Sequence, residues 1–146
     1  MILKPLKKIS GNGAWNCTGV GDICLVKGKI NKWKIQINNV NPNPSQILFG
    51  IVPESIDLNG INNYLSGYST NFENFNKYNL GNFTITYNHR GKNGDIIEII
   101  VDLEKGELSY FLNDIDLGIF CDNINKSINY VPFVEMIYEG TEISLL

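Results

Sequence analysis

The sequence has very little of what an active centre, a membrane span or a redox motif needs. It carries one histidine, one alanine and three cysteines in 146 residues, with no Cys-x-x-Cys pair. A multi-histidine metal site is excluded by number, and a histidine-based triad is set aside, because His89 lies in an Asn- and Gly-rich turn over 88–93. Cys17, Cys24 and Cys121 are odd in number and irregular in spacing. That pattern reads as free thiols in a reducing, intracellular compartment and argues against a disulfide framework. No apolar run approaches the ~18 residues that a membrane helix requires. Met1 to Leu3 is no signal-peptide core, since Lys4, Lys7 and Lys8 follow at once. Those lysines are the only basic cluster, the net charge is −3, and a nucleic-acid footprint is therefore not expected.

Other chemistry is equally thin. Glu98 and Asp102 share one face of a predicted strand, but four residues of strand put their Cα atoms about 13 Å apart, beyond the ~5–9.5 Å of paired glycosidase carboxyls. No glycine-rich loop opens a helix that could hold a phosphate. No catalytic residue, cofactor or metal ligand set is expected, and the chain reads as a non-enzyme.

What is abundant is Asn and Ile, 21 of each. That bias is what AT-rich coding produces, and it devalues the Asn-x-Ser/Thr triplets at Asn16, Asn82 and Asn125 as glycosylation signals. β-branched and aromatic residues dominate, good helix formers are sparse, and short apolar runs are broken by Gly, Asn, Asp and Pro. The length fits one domain with one core.

Trp33, Ile35 and Ile37 alternate with polar neighbours and predict a half-buried strand. Ile47 to Val52 is nearly continuous apolar sequence, as in a strand covered on both faces, and Gly50 inside it predicts a close approach or a bulge. The long polar and aromatic segment 53–79 predicts short strands within a functional loop. Phe83, Ile85 and Tyr87 predict another alternating strand. Ile97, Ile99, Val101 and Leu103 lead into a turn at Glu104-Lys105-Gly106, and Leu108, Tyr110 and Leu112 return as the buried face of its partner. Leu117 to Phe120 is a short strand, and 131–137 with 141–146 reads as a final hairpin turning near Gly140. The predicted core is Trp33, Ile35, Ile51, Ile99, Val101, Leu108, Tyr110 and Leu112.

The ordered set Gly94-Asp95-Ile96-Ile97, Val101-Asp102-Leu103, Gly106-Glu107-Leu108-Ser109-Tyr110-Phe111-Leu112-Asn113 and Leu117-Gly118 resembles the core signature of SPRY (B30.2-like) domains. Gly28 with Lys32-Trp33-Lys34-Ile35, Phe49-Gly50-Ile51, Val131-Pro132 and the segment 140–145 extend the resemblance over residues 10–146. Asp114 stands where the family usually has Gly, Val131 where it has Tyr, and Lys34 where it has Glu. The resemblance implies an all-β, two-sheet antiparallel sandwich of the concanavalin-like jelly-roll kind, spanning 1–146, with 1–9 as an N-terminal extension. It implies structural turn roles for Asp95 and Asp102.

It also implies a protein- or peptide-binding module that reads its partner through loops at one rim, as substrate-recognition or scaffold part of a larger assembly, monomeric as an isolated domain. In peptide-binding members, loop aromatics line a shallow pocket together with the N-terminal loop. Carried over here, the partner-binding residues are Trp15, Asn16, Thr18, Tyr64, Tyr68, Tyr138 and Glu139. The alternative is a carbohydrate-binding, lectin-like domain, for which Asp114 and Asp116 are the candidate calcium ligands.

Overall fold

The computed structural model of the chain describes residues 2–3, 17–40, 47–57, 66–86, 89–136 and 141–146. Among them there is no α-helix, and two antiparallel six-stranded sheets face each other. The strands are β1 (Ile2–Leu3), β2 (Cys17–Val20), β3 (Ile30–Asn39), β4 (Ile47–Pro53), β5 (Tyr68–Asn71), β6 (Lys77–Asn79), β7 (Asn82–Thr84), β8 (Ile96–Asp102), β9 (Glu107–Leu112), β10 (Ile115–Cys121), β11 (Tyr130–Met136) and β12 (Glu142–Leu145). The first sheet runs β1-β12-β3-β8-β9-β10, and the second runs β2-β11-β4-β5-β6-β7.

The period-two pattern places the core where alternation predicts it. Ile35, Ile37, Ile97, Ile99, Val101, Leu108 and Tyr110 are buried on the inner face of the first sheet, against Ile47, Phe49, Ile51 and Met136 of the second. β4 is buried on both sides, because Leu48 and Val52 join Val131 and Phe133 in a smaller cluster on the outer face. The sheets are joined by a polar contact as well as by packing. The Tyr110 hydroxyl donates to the Phe49 carbonyl at 3.0 Å in the dry interior. Gly50 is required beside it: a Cβ there would lie 2.1 Å from the Tyr68 carbonyl oxygen.

Turns follow their side chains. Asn113 and Asp114 both adopt positive φ, 48° and 67°, between Leu112 and its partner Ile115, as a two-residue primed hairpin turn requires. The Asp102 carboxylate accepts from the backbone N–H groups of Glu104 and Lys105 at 3.0 Å each, and Gly106 takes φ 79°. This loop is four residues, 103–106, rather than three, because Leu103 buries its side chain before the turn closes.

Several expectations need correction. The segments 131–137 and 141–146 do not form a hairpin: β11 belongs to the second sheet and β12 to the first, so the chain changes sheet between them. β7 is only three residues, and its alternation is not a core pattern. Phe83 is 51% exposed and tilts against Tyr78, its ring centroid 5.2 Å away. Tyr87 lies outside the described residues. Trp33 and Leu112 are half-buried at the margin of the core rather than sealed in it. Part of the expected N-terminal extension contributes to the fold, since Ile2 and Leu3 pair with Ser144 and Ile143.

Candidate functional site

Strand register assigns each loop to one of two rims. At one, the backbone N–H of Phe72 bonds Ile47, Gly91 bonds Phe72, and Gly94 bonds Ile37. Segments 72–76, 85–86, 89–95 and 113–114 therefore gather at the Ile47 end. At the other, Glu54 bonds Asn129, Leu25 bonds Tyr130, Leu103 bonds Lys29, and Ile124 bonds Gly106. Segments 21–29, 54–57, 103–106 and 122–129 gather at the Pro53 end.

Of the predicted partner-binding residues, Thr18 and Tyr68 lie among the described residues. Thr18 lies on β2, opposite Glu135 of β11, and the neighbouring pair Cys17–Met136 sits at the Ile47 end. Trp15, Asn16, Tyr138 and Glu139 lie outside the described residues. Their chain neighbours Cys17 and Met136 are paired side by side. Tyr64 also lies outside the described residues, but the residues flanking its segment, Asp57 and Ser66, adjoin Pro53 and Tyr68 at the far end of β4. The seven residues of β4, Ile47 to Pro53, separate the two ends by about 20 Å.

Tyr68 is not on a rim surface. It is 2% exposed, its ring meets Tyr130 edge-on at 6.0 Å, and its hydroxyl accepts a long 3.4 Å bond from the Asn125 backbone N–H. Burial pushes the neighbouring Tyr130 hydroxyl well above the usual tyrosine range, and that hydroxyl donates to the Asn125 carbonyl at 3.0 Å. A tyrosine here completes the core and cannot line a pocket without leaving it.

The Ile47 end has a stiff floor that the sequence did not announce. Asn71 Oδ1 accepts from Asn76 N at 2.9 Å, Asn76 Oδ1 accepts from Thr86 N at 3.0 Å, and Thr86 Oγ1 donates to the Phe75 carbonyl at 2.8 Å. Phe75 is fully buried at φ 54°, an unusual conformation for a bulky residue. His89 rests edge-on against its ring at 6.3 Å. Alongside, buried Asp95 accepts from Lys92 N at 2.8 Å and from Asn113 Nδ2 at 2.9 Å, while Asn113 Oδ1 accepts from Ile96 N at 2.9 Å. Asp95 thus splices two turns together, the structural role that the resemblance implied. The signal for this floor was the spacing of Asn71, Asn76 and Thr86, which only the fold turns into a network.

Among the described residues no three His, Cys, Asp or Glu side chains cluster as a metal site would need. Asp116, one of the two candidate calcium ligands, spends its carboxylate on the Gly118 N–H at 2.8 Å. Cys24 and Cys121 are free, and the Cys17 side chain lies outside the described residues. Burial and the adjacent Glu54 carboxylate raise the Cys24 thiol, and burial raises Cys121, so neither is an activated nucleophile. No helix among the described residues is long and apolar enough to cross a membrane.

The family model described as the SPRY domain matches residues 31–145. The chain belongs to the SPRY domain family. The fold agrees: the SPRY domain of human HERC1 superposes with a TM-score of 0.73 at 13% identity, over 94% of this chain and 90% of that one. A human SPRY domain gives 0.73 at 18% identity, over 99% and 96%. The TRIM65 PSpry domain gives 0.65 at 13% identity, over 88% and 70%. No curated protein matches the sequence. SPRY domains are in general protein-interaction modules rather than enzymes.

Proposed function

We propose that this SPRY domain is a protein- or peptide-binding module that grips its partner at the Ile47 end of the sandwich, through Trp15, Asn16, Thr18, Tyr138 and Glu139. The observation that carries this reading is the pairing of Cys17 with Met136, the described strand ends that adjoin these residues in sequence. The hydrogen-bonded floor of Asn71, Asn76 and Thr86 supports it, since specificity loops work best on a rigid base. Tyrosine and tryptophan suit such a surface by combining contact area with a polar handle. Tyr68, being core, is left out, and Tyr64 is assigned to the other end. A monomer in a reducing, intracellular compartment belongs to the same proposal and is supported by the free thiols of Cys24 and Cys121.

The test begins with affinity capture from the source cell to supply a partner. Trp15→Ala combined with Tyr138→Ala then weakens the complex by more than about 2 kcal/mol, with an unchanged denaturation midpoint, while Tyr64→Ala has little effect. Full affinity in a folded double variant would refute the assignment.

A further inference from the structure

The two sheets do not close against each other along their β2 and β12 margin. An apolar cleft of about 440 Å³ lies there, between Trp33, Ile35 and Leu145 of the first sheet and Gly21, Ile23 and Pro132 of the second. Its cause can be read in the register. β2 pairs with β11 so that Gly19 lies opposite Val134, and Gly21 follows on in the same register, its N–H bonding the Pro132 carbonyl at 2.9 Å. In an antiparallel pair, directly opposed residues point to the same side. Val134 belongs to the core, so Gly19 holds a core-facing position of β2 with no side chain to fill the gap, and just past the strand a Cβ at Gly21 would already meet the Pro132 ring at 3.0 Å. Residues of core-facing parity across the gap are accordingly not sealed: Trp33 is half-buried, and Leu145 is 45% exposed. Ile23, at the mouth, is 74% exposed.

The same register leaves main-chain groups on offer. The Gly21–Pro132 bond marks a hydrogen-bonded pair, and such pairs alternate with non-bonded ones. Thr18 and Val20 therefore direct their N–H and C=O groups away from β11, and among the described residues no strand lies beyond β2. An open edge of this kind is a template for strand addition. A strand laid along it would place the side chain opposite Gly19 over a core-facing position that has none, beside the apolar cleft. Asp22 is the only ionisable residue among the described lining residues, so nothing at the cleft selects an anionic ligand. The volume lies within the range of ligand pockets, ~300–1,000 Å³.

The geometry points to a second docking groove, in which an extended segment of another protein pairs with β2 at Thr18 and Val20 and inserts an apolar side chain between Trp33, Leu145 and Pro132. This surface shares Thr18 with the residues proposed above but none of its apolar lining, and it stands or falls on that lining.

The test pans the whole chain against a displayed library of random nonapeptides, then titrates the synthesised winners while following the amide and indole NMR signals of the protein. The expected winners share an apolar residue and move the Val20 amide and Trp33 indole signals. They lose at least tenfold in affinity on Ile23→Asp, which puts a charge at the exposed mouth. They keep their affinity on Ile115→Asp, at the opposite margin. Winners that instead move Asn113 and His89 signals would overturn the groove while favouring the Ile47 rim. Shifts of Val20 and Trp33 that depend on protein concentration without peptide would make a second copy the occupant and overturn the proposal. So would indole shifting those signals when no selected peptide does, or no selected peptide shifting them at all.

Discussion

The sandwich has two lateral margins, and they are finished differently. At the β10 margin, Phe120 turns inward onto Tyr110 at 4.8 Å, and Lys77 covers its ring from the second sheet at 5.2 Å. Lys77 Nζ also donates to the Ile119 carbonyl at 3.2 Å, and Asn79 Nδ2 donates to the Phe120 carbonyl at 3.2 Å. Side chains of β6 thus cap main-chain acceptors on the edge strand of the opposite sheet. At the β2 margin Gly19 holds a core-facing position, no such bridge is present among the described residues, and apolar side chains of core parity face an open cleft. Side chains of the opposite sheet bridge one margin, and among the described residues the other keeps an apolar cleft. The family match covers 31–145, so the β2 wall of the cleft lies outside the part of the chain that the SPRY model describes.

Truncation at each margin should break the comparison most visibly. Phe120→Ala is expected to cost roughly 3–5 kcal/mol, as for a buried aromatic, whereas Leu145→Ala should cost under about 1 kcal/mol. Chemical denaturation of both variants measures this, and equal losses would mean that the two margins are packed alike.

Next in size is the contact that joins the sheets between the margins. Tyr110→Phe removes the bond that the Phe49 carbonyl accepts beyond its ladder bond to β5, at a cost of about 1–1.5 kcal/mol. The same hydroxyl gives a pH signature. Burial raises the Tyr110 pKa well above its ordinary value of 10.0, so the native state keeps a proton that the unfolded chain releases in alkali. The raised-pKa case applies: this contribution is complete below about pH 10 and is lost as pH rises beyond it. Tyr130 acts in the same direction. Denaturation midpoints should fall above pH 10, and less steeply in Tyr110→Phe.

The smallest effect is at the bridge itself. Lys77→Met removes one donor and a cation over Phe120 but keeps the aliphatic stem, for an expected loss of about 0.5–1.5 kcal/mol. No loss would mean that the carbonyl of Ile119 is equally well served by water.

How much of this was legible in the sequence depends on what kind of information each element carries. The hairpin over 94–112 was, because its alternation and the glycine of its turn at Glu104-Lys105-Gly106 are local. So was the two-sided burial of Ile47 to Val52. Sheet membership was not: β11 and β12 are neighbours in sequence, and period two says nothing about which sheet a strand joins. Phe83 misled because an aromatic on an outer face alternates as a core residue does. Cys17–Val20 went unread as a strand because four residues with a glycine at 19 are too few to show an apolar alternation. For the same topological reason the sequence could not tell at which end of the sandwich β4 and β11 stop, which only the strand register shows.

The difference between the margins can be measured directly by methyl NMR under xenon pressure, since xenon enters dry apolar space and little else. The account predicts saturable shifts at the methyls of Ile35, Ile99, Val134 and Leu145, which line the β2 margin, and none at Leu108 or Ile124 beneath the closed one. Unmoved methyls at the β2 margin, or equal shifts at both, would contradict it.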